Sequence, residues 1–390
     1  MREYLITDFG AISDTDIPQT DAVQKALDAC RDNGGGRVVI PKGTFTIASV
    51  RIWSDTELYL QSGAVLQGSE NCDDYVSFDA PEHITLRTDM EMIPEYYHRS
   101  WSEYRRAMIA AYGETCISII GEEGSVIDGR DCFDPNGEEG FRGPHGIFLA
   151  SCENVKLSGY TAQNCGNFMH ELNCCKNVHM KNVTCLAGHD ATHFHYAENV
   201  IIEDCNFMTG DDCIAGIGFK NVIIRRCKIN TSCQCFRTGG SNMLVEDCHF
   251  YGPGYYPHRY TIVKGRDNIL PREQGRHNTV SFMMFFASTT YPAKEPADNI
   301  VIRNCLIENV DKLLDYVDGR LDRIQKGGTL AGLTLENVRF TGLKEASHII
   351  GNEDVKFTLK LKNTSFEFVP EATEKSLVSA DSENVKIIVL

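Results

Sequence analysis

Along the middle of the chain, short runs of alternating apolar and polar residues recur, each opened by an asparagine. Asn154, Asn177, Asn199 and Asn221 are each followed by Val and then by alternating apolar positions, and a looser copy begins at Asn242. These five lie 23, 22, 22 and 21 residues apart, and a further copy begins at Asn299. A fixed period in the twenties signals a solenoid, in which each repeat buries its apolar face only against its neighbours. Leucine-rich repeats share the period, but their leucine consensus is absent. The alternating, β-branched runs instead predict short strands joined by turns. The expected fold is therefore all-β: one right-handed parallel β-helix over residues 1–390, with residues one coil apart stacked about 4.8 Å from each other.

The pattern changes in three places. Residues 1–47 predict an N-terminal cap, with a helix from about Gln19 to Arg31 whose Ala22, Val23, Ala26, Leu27 and Ala29–Cys30 form an apolar stripe. A capping helix suits a solenoid end, which would otherwise expose apolar edges. Residues 72–112 interrupt the rhythm with aromatic and charged residues, among them Tyr75, Phe78, Trp101 and Tyr104. They predict a loop insertion beside a cleft, in which the aromatics either stack on sugars or form a small satellite core. Residues 131–145 read as a second loop, and 252–298 as a long loop holding one irregular coil.

Composition narrows the class. The chain has 390 residues, 42% of them hydrophobic, and a net charge of −16. That balance argues against nucleic-acid and anionic-membrane partners, which need clustered basic charge. The first residues show no basic segment followed by an apolar one, and no apolar run reaches the roughly 18 residues of a membrane span. Of the 16 cysteines, Cys205, Cys227, Cys248 and Cys305 each lie six places after a repeat asparagine, while Cys152 and Cys175 lie two before one. Cysteines in register behave as small buried hydrophobes, and paired metal-binding spacings are missing. Reduced thiols and the absent leader predict a cytoplasmic protein with no metal and no cofactor.

The chemistry gathers between residues 188 and 213. Asp190 precedes the doublet Asp211–Asp212 by about one coil, so three carboxyl groups should converge on one patch, with Asp190 and Asp211 at the same angular position. Paired carboxylates suit glycoside hydrolysis, in which one group donates a proton to the leaving oxygen and another activates water. Crowded like charges raise at least one pKa and so supply the acid. His189, His193 and His195 sit beside Asp190; they read as sugar contacts, structural groups or, least of all, metal ligands.

The segment Gly124–Gly129 (GSVIDG), the asparagine coils and Thr209–Ala215 (TGDDCIA) resemble glycoside hydrolase family 28, the polygalacturonase-like family, over roughly residues 5–360. The resemblance implies an inverting hydrolysis by three aspartates, here Asp190, Asp211 and Asp212, with Asp211 as general acid. Two family signatures are altered. The histidine of Gly-His-Gly gives way to Gln234 between Cys233 and Cys235, and Arg-Ile-Lys to Ile262-Val263-Lys264, which keeps only the lysine. That basic pair grips a galacturonate carboxylate in the family, so Arg237, His258, Arg259 and Lys264 become the expected substrate-binding set, with His189 and His193. The reading is an exo-acting hydrolase of a uronic-acid-containing, pectin-like oligosaccharide. Its rivals are a β-helix lyase or epimerase and a non-catalytic glycan-binding protein.

Overall fold

The computed structural model describes residues 1–15, 17–87, 99–258, 275–322, 324–380 and 383–390. Three parallel sheets run along its length, one of 13 strands and two of 11. The chain visits them in turn, so each coil adds one strand to each sheet, and the result is a parallel β-helix. The 13-stranded sheet begins at Glu3–Leu5 and ends at Val385–Val389. Helix Thr20–Asp32 buries Ala22, Val23, Ala26, Leu27 and Cys30 against the first coils, as the stripe predicts.

Stacking is in strict register. Val155, Val178, Val200, Val222, Met243 and Ile300 form one inward column of the 13-stranded sheet. The repeat asparagines explain the regularity. Asn154, Asn177, Asn199, Asn221, Asn242 and Asn299 all adopt left-handed backbone, φ between 54° and 59°, which asparagine tolerates better than other side-chain-bearing residues. Each amide donates to the one a coil earlier, at 3.1, 3.0, 2.9, 3.2 and 3.1 Å along the row. One residue type thus makes the turn and links neighbouring coils.

The cysteine column is also physical. Cys205, Cys227, Cys248 and Cys305 are buried as thiols, each donating to the carbonyl two residues earlier at 3.1–3.3 Å. Each follows a left-handed residue, Asp204, Arg226, Asp247 or Asn304. A small side chain with a weak donor fits this inward corner.

The first insertion is shorter than the sequence predicts, and the second holds the one coil expected in it. Ala107–Tyr112 and Ser281–Phe285 are strands of one 11-stranded sheet, termed here the site sheet. Their alternation was hidden because both of their faces are covered and both are apolar. Of the aromatics in the first insertion, Phe78 and Trp101 build a satellite core, packing with Ala80, Ile84 and Leu86 on Ala107, Ala110, Tyr112, Phe148 and Ala150. Tyr75 joins the main core and donates to the Ser69 carbonyl.

Candidate active site

The site lies where successive coils enter the site sheet, just before strands Thr192–His195, Ile214–Gly216 and Gln234–Thr238. Thr192 pairs with Ile214, and Ala191 N–H donates to the Asp212 carbonyl at 3.2 Å. This ladder places Asp190 directly beside Asp212, with Asp211 one step off. The sequence spacing had suggested Asp211. The coil here is 22 residues long, and a register change of one place turns a side chain to a different side.

The three carboxylates still converge: oxygens of Asp190, Asp211 and Asp212 lie within 4.8 Å of one another, and all three residues are buried. One oxygen of each group is thus nearer its neighbours than the about 6.5–9.5 Å that separates whole carboxyl groups in inverting sites. Arg142 Nη2 donates to Asp211 Oδ2 at 2.7 Å, while Asp211 Oδ1 accepts from the Asp212 N–H at 3.1 Å and stands 3.4 Å from His258 Nε2. Asp212 Oδ1 accepts the Gln234 N–H at 3.0 Å, and Arg237 Nη1 is 3.8 Å from its other oxygen. His193 Nδ1 lies 3.3 Å from Asp190 Oδ2.

The electrostatics follow from burial and crowding. Burial, then the Asp211 charge, raises the Asp190 pKa well above the usual carboxylate range, against the pull of Arg142 and Arg237. Burial, then Asp211 and Asp190, pushes Asp212 up to about 7. Burial opposes the Arg142 charge, but Glu138, Glu139, Asp211 and Asp190 outweigh it and hold that guanidinium cationic. Burial and crowding thus favour the protonated forms of Asp190 and Asp212, while Arg142 stands against Asp211. The resemblance gives the donated proton to Asp211 instead. Carboxylates this close titrate as a unit, so the trio as a whole holds a transferable proton near neutral pH.

The other expected residues divide. His193, Arg237 and His258 adjoin the trio, one for each carboxylate. His258 stands beside Asp211 although the signature histidine has become Gln234. His189 is buried against the Phe141 ring at 5.8 Å. Arg259 and Lys264 lie outside the described residues. Sequence reading missed two groups. Arg142 comes from the 131–145 loop, whose Asp134 is clamped by Arg99 at 2.5 Å and by Arg106. Glu171 faces outward on strand His170–Asn173, and His195 Nδ1 lies 2.8 Å from its Oε1. Neither carries a periodic signal. Asp134 and Arg142 lie in a loop without periodicity, and Glu171 occupies an outward strand position, where a charged residue is ordinarily solvated.

Three donor groups among the described residues are compact enough for a cation: the aspartate trio, Asp211 with Cys233 and His258, and Glu171 with His193 and His195. Arg142 already neutralises Asp211 in the first two. In the third, His193 and His195 stack with centroids 4.3 Å apart and planes at 26°, so their in-plane lone pairs run side by side.

Comparison with known proteins agrees with this picture. Residues 30–233 match the family described as glycosyl hydrolases family 28. An exo-poly-alpha-D-galacturonosidase of Dickeya chrysanthemi is 43% identical over 70 residues, 18% of this chain and 11% of its own. A probable polygalacturonase of Vitis vinifera is 25% identical over 224 residues, 54% of this chain and 43% of its own. The chain thus spans less than half the length of these relatives. Among solved structures, a hyperthermoactive exopolygalacturonase from Thermotoga maritima shares the fold with a TM-score of 0.68 at 15% identity, over 99% of this chain and 92% of that one. The family match covers more than half of the sequence, including all three aspartates, and on that ground the chain belongs to glycosyl hydrolase family 28.

Proposed function

We propose that the protein is an exo-acting glycoside hydrolase of uronic-acid-containing, pectin-like oligosaccharides. The observation that carries the reading is the convergence of three buried carboxylates, Asp190, Asp211 and Asp212, with Arg142 2.7 Å from Asp211. A general acid and a general base at one bond are what glycosidic cleavage requires. Family membership supports an inverting course; the carboxylate spacing does not supply it.

Support for exo action comes from the satellite core. Across the site sheet, Phe148 pairs in register with Glu171, and Glu171 with His193. Phe148 is sealed under the first insertion, with Trp101 5.3 Å from Tyr104 and 6.4 Å from Phe148. The outer face of the sheet is therefore closed two strand spacings, about 10 Å, to the N-terminal side of the Asp190 coil. A sugar chain laid along this face meets that cover close to the bond-breaking groups, which favours a chain end there. Support for a uronate comes from Arg237, which lies over the Phe286 ring at 3.8 Å and offers a planar fork at the rim of the trio. The buried thiols support a reducing compartment, which fractionation of the source cells would test.

Incubation with a panel of defined neutral and uronate oligosaccharides, with products read by mass, tests the function. Release of single terminal residues from uronate members is expected. Cleavage at internal bonds refutes exo action, and products lighter by one water refute hydrolysis in favour of elimination.

A further inference from the structure

One rung of outward-facing side chains crosses the site sheet in register: Phe148, Glu171, His193, Ala215, Arg237 and Met284. Glu171 is the first polar position of the rung after Phe148. It is fully buried, at 0% exposure. Its Oε1 is engaged by His195 Nδ1 at 2.8 Å and by Asn173 Nδ2 at 3.4 Å. Its Oε2 is buried with no hydrogen-bond partner among the described residues. A buried carboxylate oxygen left unmet is costly, and a ligand that donates to it recovers that cost.

We propose that Glu171, oriented by His195, is the end-recognition residue for the terminal sugar, its Oε2 accepting a hydroxyl of that residue. This rests on the hydrolase reading above. Several features converge on it. Asn173 ties the rung to the insertion through both its amide atoms, accepting from Arg87 N–H at 3.0 Å and donating to Arg87 O at 2.7 Å, so the wall and Glu171 are fixed to each other. Ala215, between His193 and Arg237, is the smallest side chain of the rung. The charges on its two sides are opposite. Glu171 repels a sugar carboxylate at the closed end, whereas Arg237 has a buried Nε with no partner among the described residues. A terminal uronate is thereby oriented, hydroxyl edge toward Glu171 and carboxylate toward Arg237. A metal ion on Glu171, His193 and His195 is the competing occupant, and the stacked imidazoles disfavour it.

The test is a substrate-by-variant cycle with three uronate oligosaccharides: one intact, one with a 4,5-unsaturated terminal residue lacking the 4-hydroxyl, and one reduced to the alditol at the opposite end. Glu171→Gln keeps shape and Glu171→Ala removes the group; melting curves identify any variant that fails to fold. Wild type is expected to prefer the intact substrate to one of the end-modified ones by about tenfold or more. Glu171→Gln should raise KM on the intact substrate by about tenfold and Glu171→Ala by about 100-fold, in keeping with a hydrogen bond to a charged group. On the disfavoured modified substrate that penalty should shrink at least tenfold. Equal penalties on all three substrates, or a wild type indifferent to both ends, would overturn the inference and leave the hydrolase reading standing. One equivalent of Zn2+ bound by wild type and lost in Glu171→Gln would overturn it in favour of a metal site. A wild type that cleaves no member of the panel removes the hydrolase reading, and this inference with it.

Discussion

Asp212→Asn is expected to make the protein more stable at alkaline pH while destroying its activity. Asp212 is buried, and its pKa rises from 3.8 to about 7 because burial and the charges of Asp211 and Asp190 disfavour its ionised form. In the unfolded chain the group ionises near 3.9. Between those values the folded state keeps a proton that the unfolded state has released. Stability from this group is therefore full below about pH 4 and is lost as pH rises through about 7. The rise corresponds to roughly 4 kcal/mol between the two forms, an upper limit because water entry and proton sharing with Asp190 relieve part of it. Asparagine keeps the acceptor for the Gln234 N–H, which now reaches Asp212 Oδ1 at 3.0 Å, and carries no charge.

The variant should gain about 1–3 kcal/mol over wild type at pH 8 and no more than about 1 kcal/mol at pH 4.5. Melting temperatures of both proteins at both pH values measure this, with kcat taken on the same samples. Loss of the acid or base should cost about 10²–10⁴ in kcat. An Asp212→Asn protein less stable than wild type at pH 8, or with an advantage independent of pH, would refute the claim that this carboxylate is held against its solvation.

Three further outcomes follow from the site. Asp211→Asn should lower kcat by about 10²–10⁴ with the fold intact by circular dichroism, and a variant keeping more than about a tenth of the wild-type rate would remove Asp211 from the mechanism. Arg142→Met should cost about 3–5 kcal/mol at neutral pH, since it leaves the Asp211 charge buried without its cation. It should also move the alkaline limb of the pH–rate profile upward; an unchanged limb would mean that Arg142 does not set the charge of the trio. Proton NMR in the first minutes of hydrolysis should show a first product of inverted anomeric configuration, and retention would contradict the family-based course.

The solenoid was legible because its turns demand particular residues. A left-handed corner repeated every coil selects asparagine, and stacking selects a matched apolar column, so both appear as periodic residues. The aspartates were legible as a convergent group, but their partnering was not. One residue of coil length decides whether Asp190 stands beside Asp211 or Asp212, and the ladder at Ala191 fixes the second. The boundary of the first insertion was blurred because Ala107–Tyr112, buried on both faces, lacks the alternation that marks a half-buried strand.

Arg142 and Glu171 show a deeper limit. On the 13-stranded sheet, outward positions such as Lys156, His179 and Ile223 remain partly or fully exposed, as expected for the outside of a solenoid. On the site sheet, the outward Glu171, His193 and His195 are buried. In sequence the two classes look alike, since each is a residue alternating with inward apolar neighbours. Only the covering of one face distinguishes them, and that covering involves segments far away in the chain, the first insertion and the 131–145 loop. Burial then changes what the same residue types do. Lys181 and Arg225, at the surface, share Glu203 in an ordinary ion-pair network. Arg142, held by Glu139 and Asn167, instead fixes the charge on a proton-sharing trio. The regular coil supplies a rigid platform, and the irregular segments, by excluding water from one stretch of it, turn surface-type residues into a site.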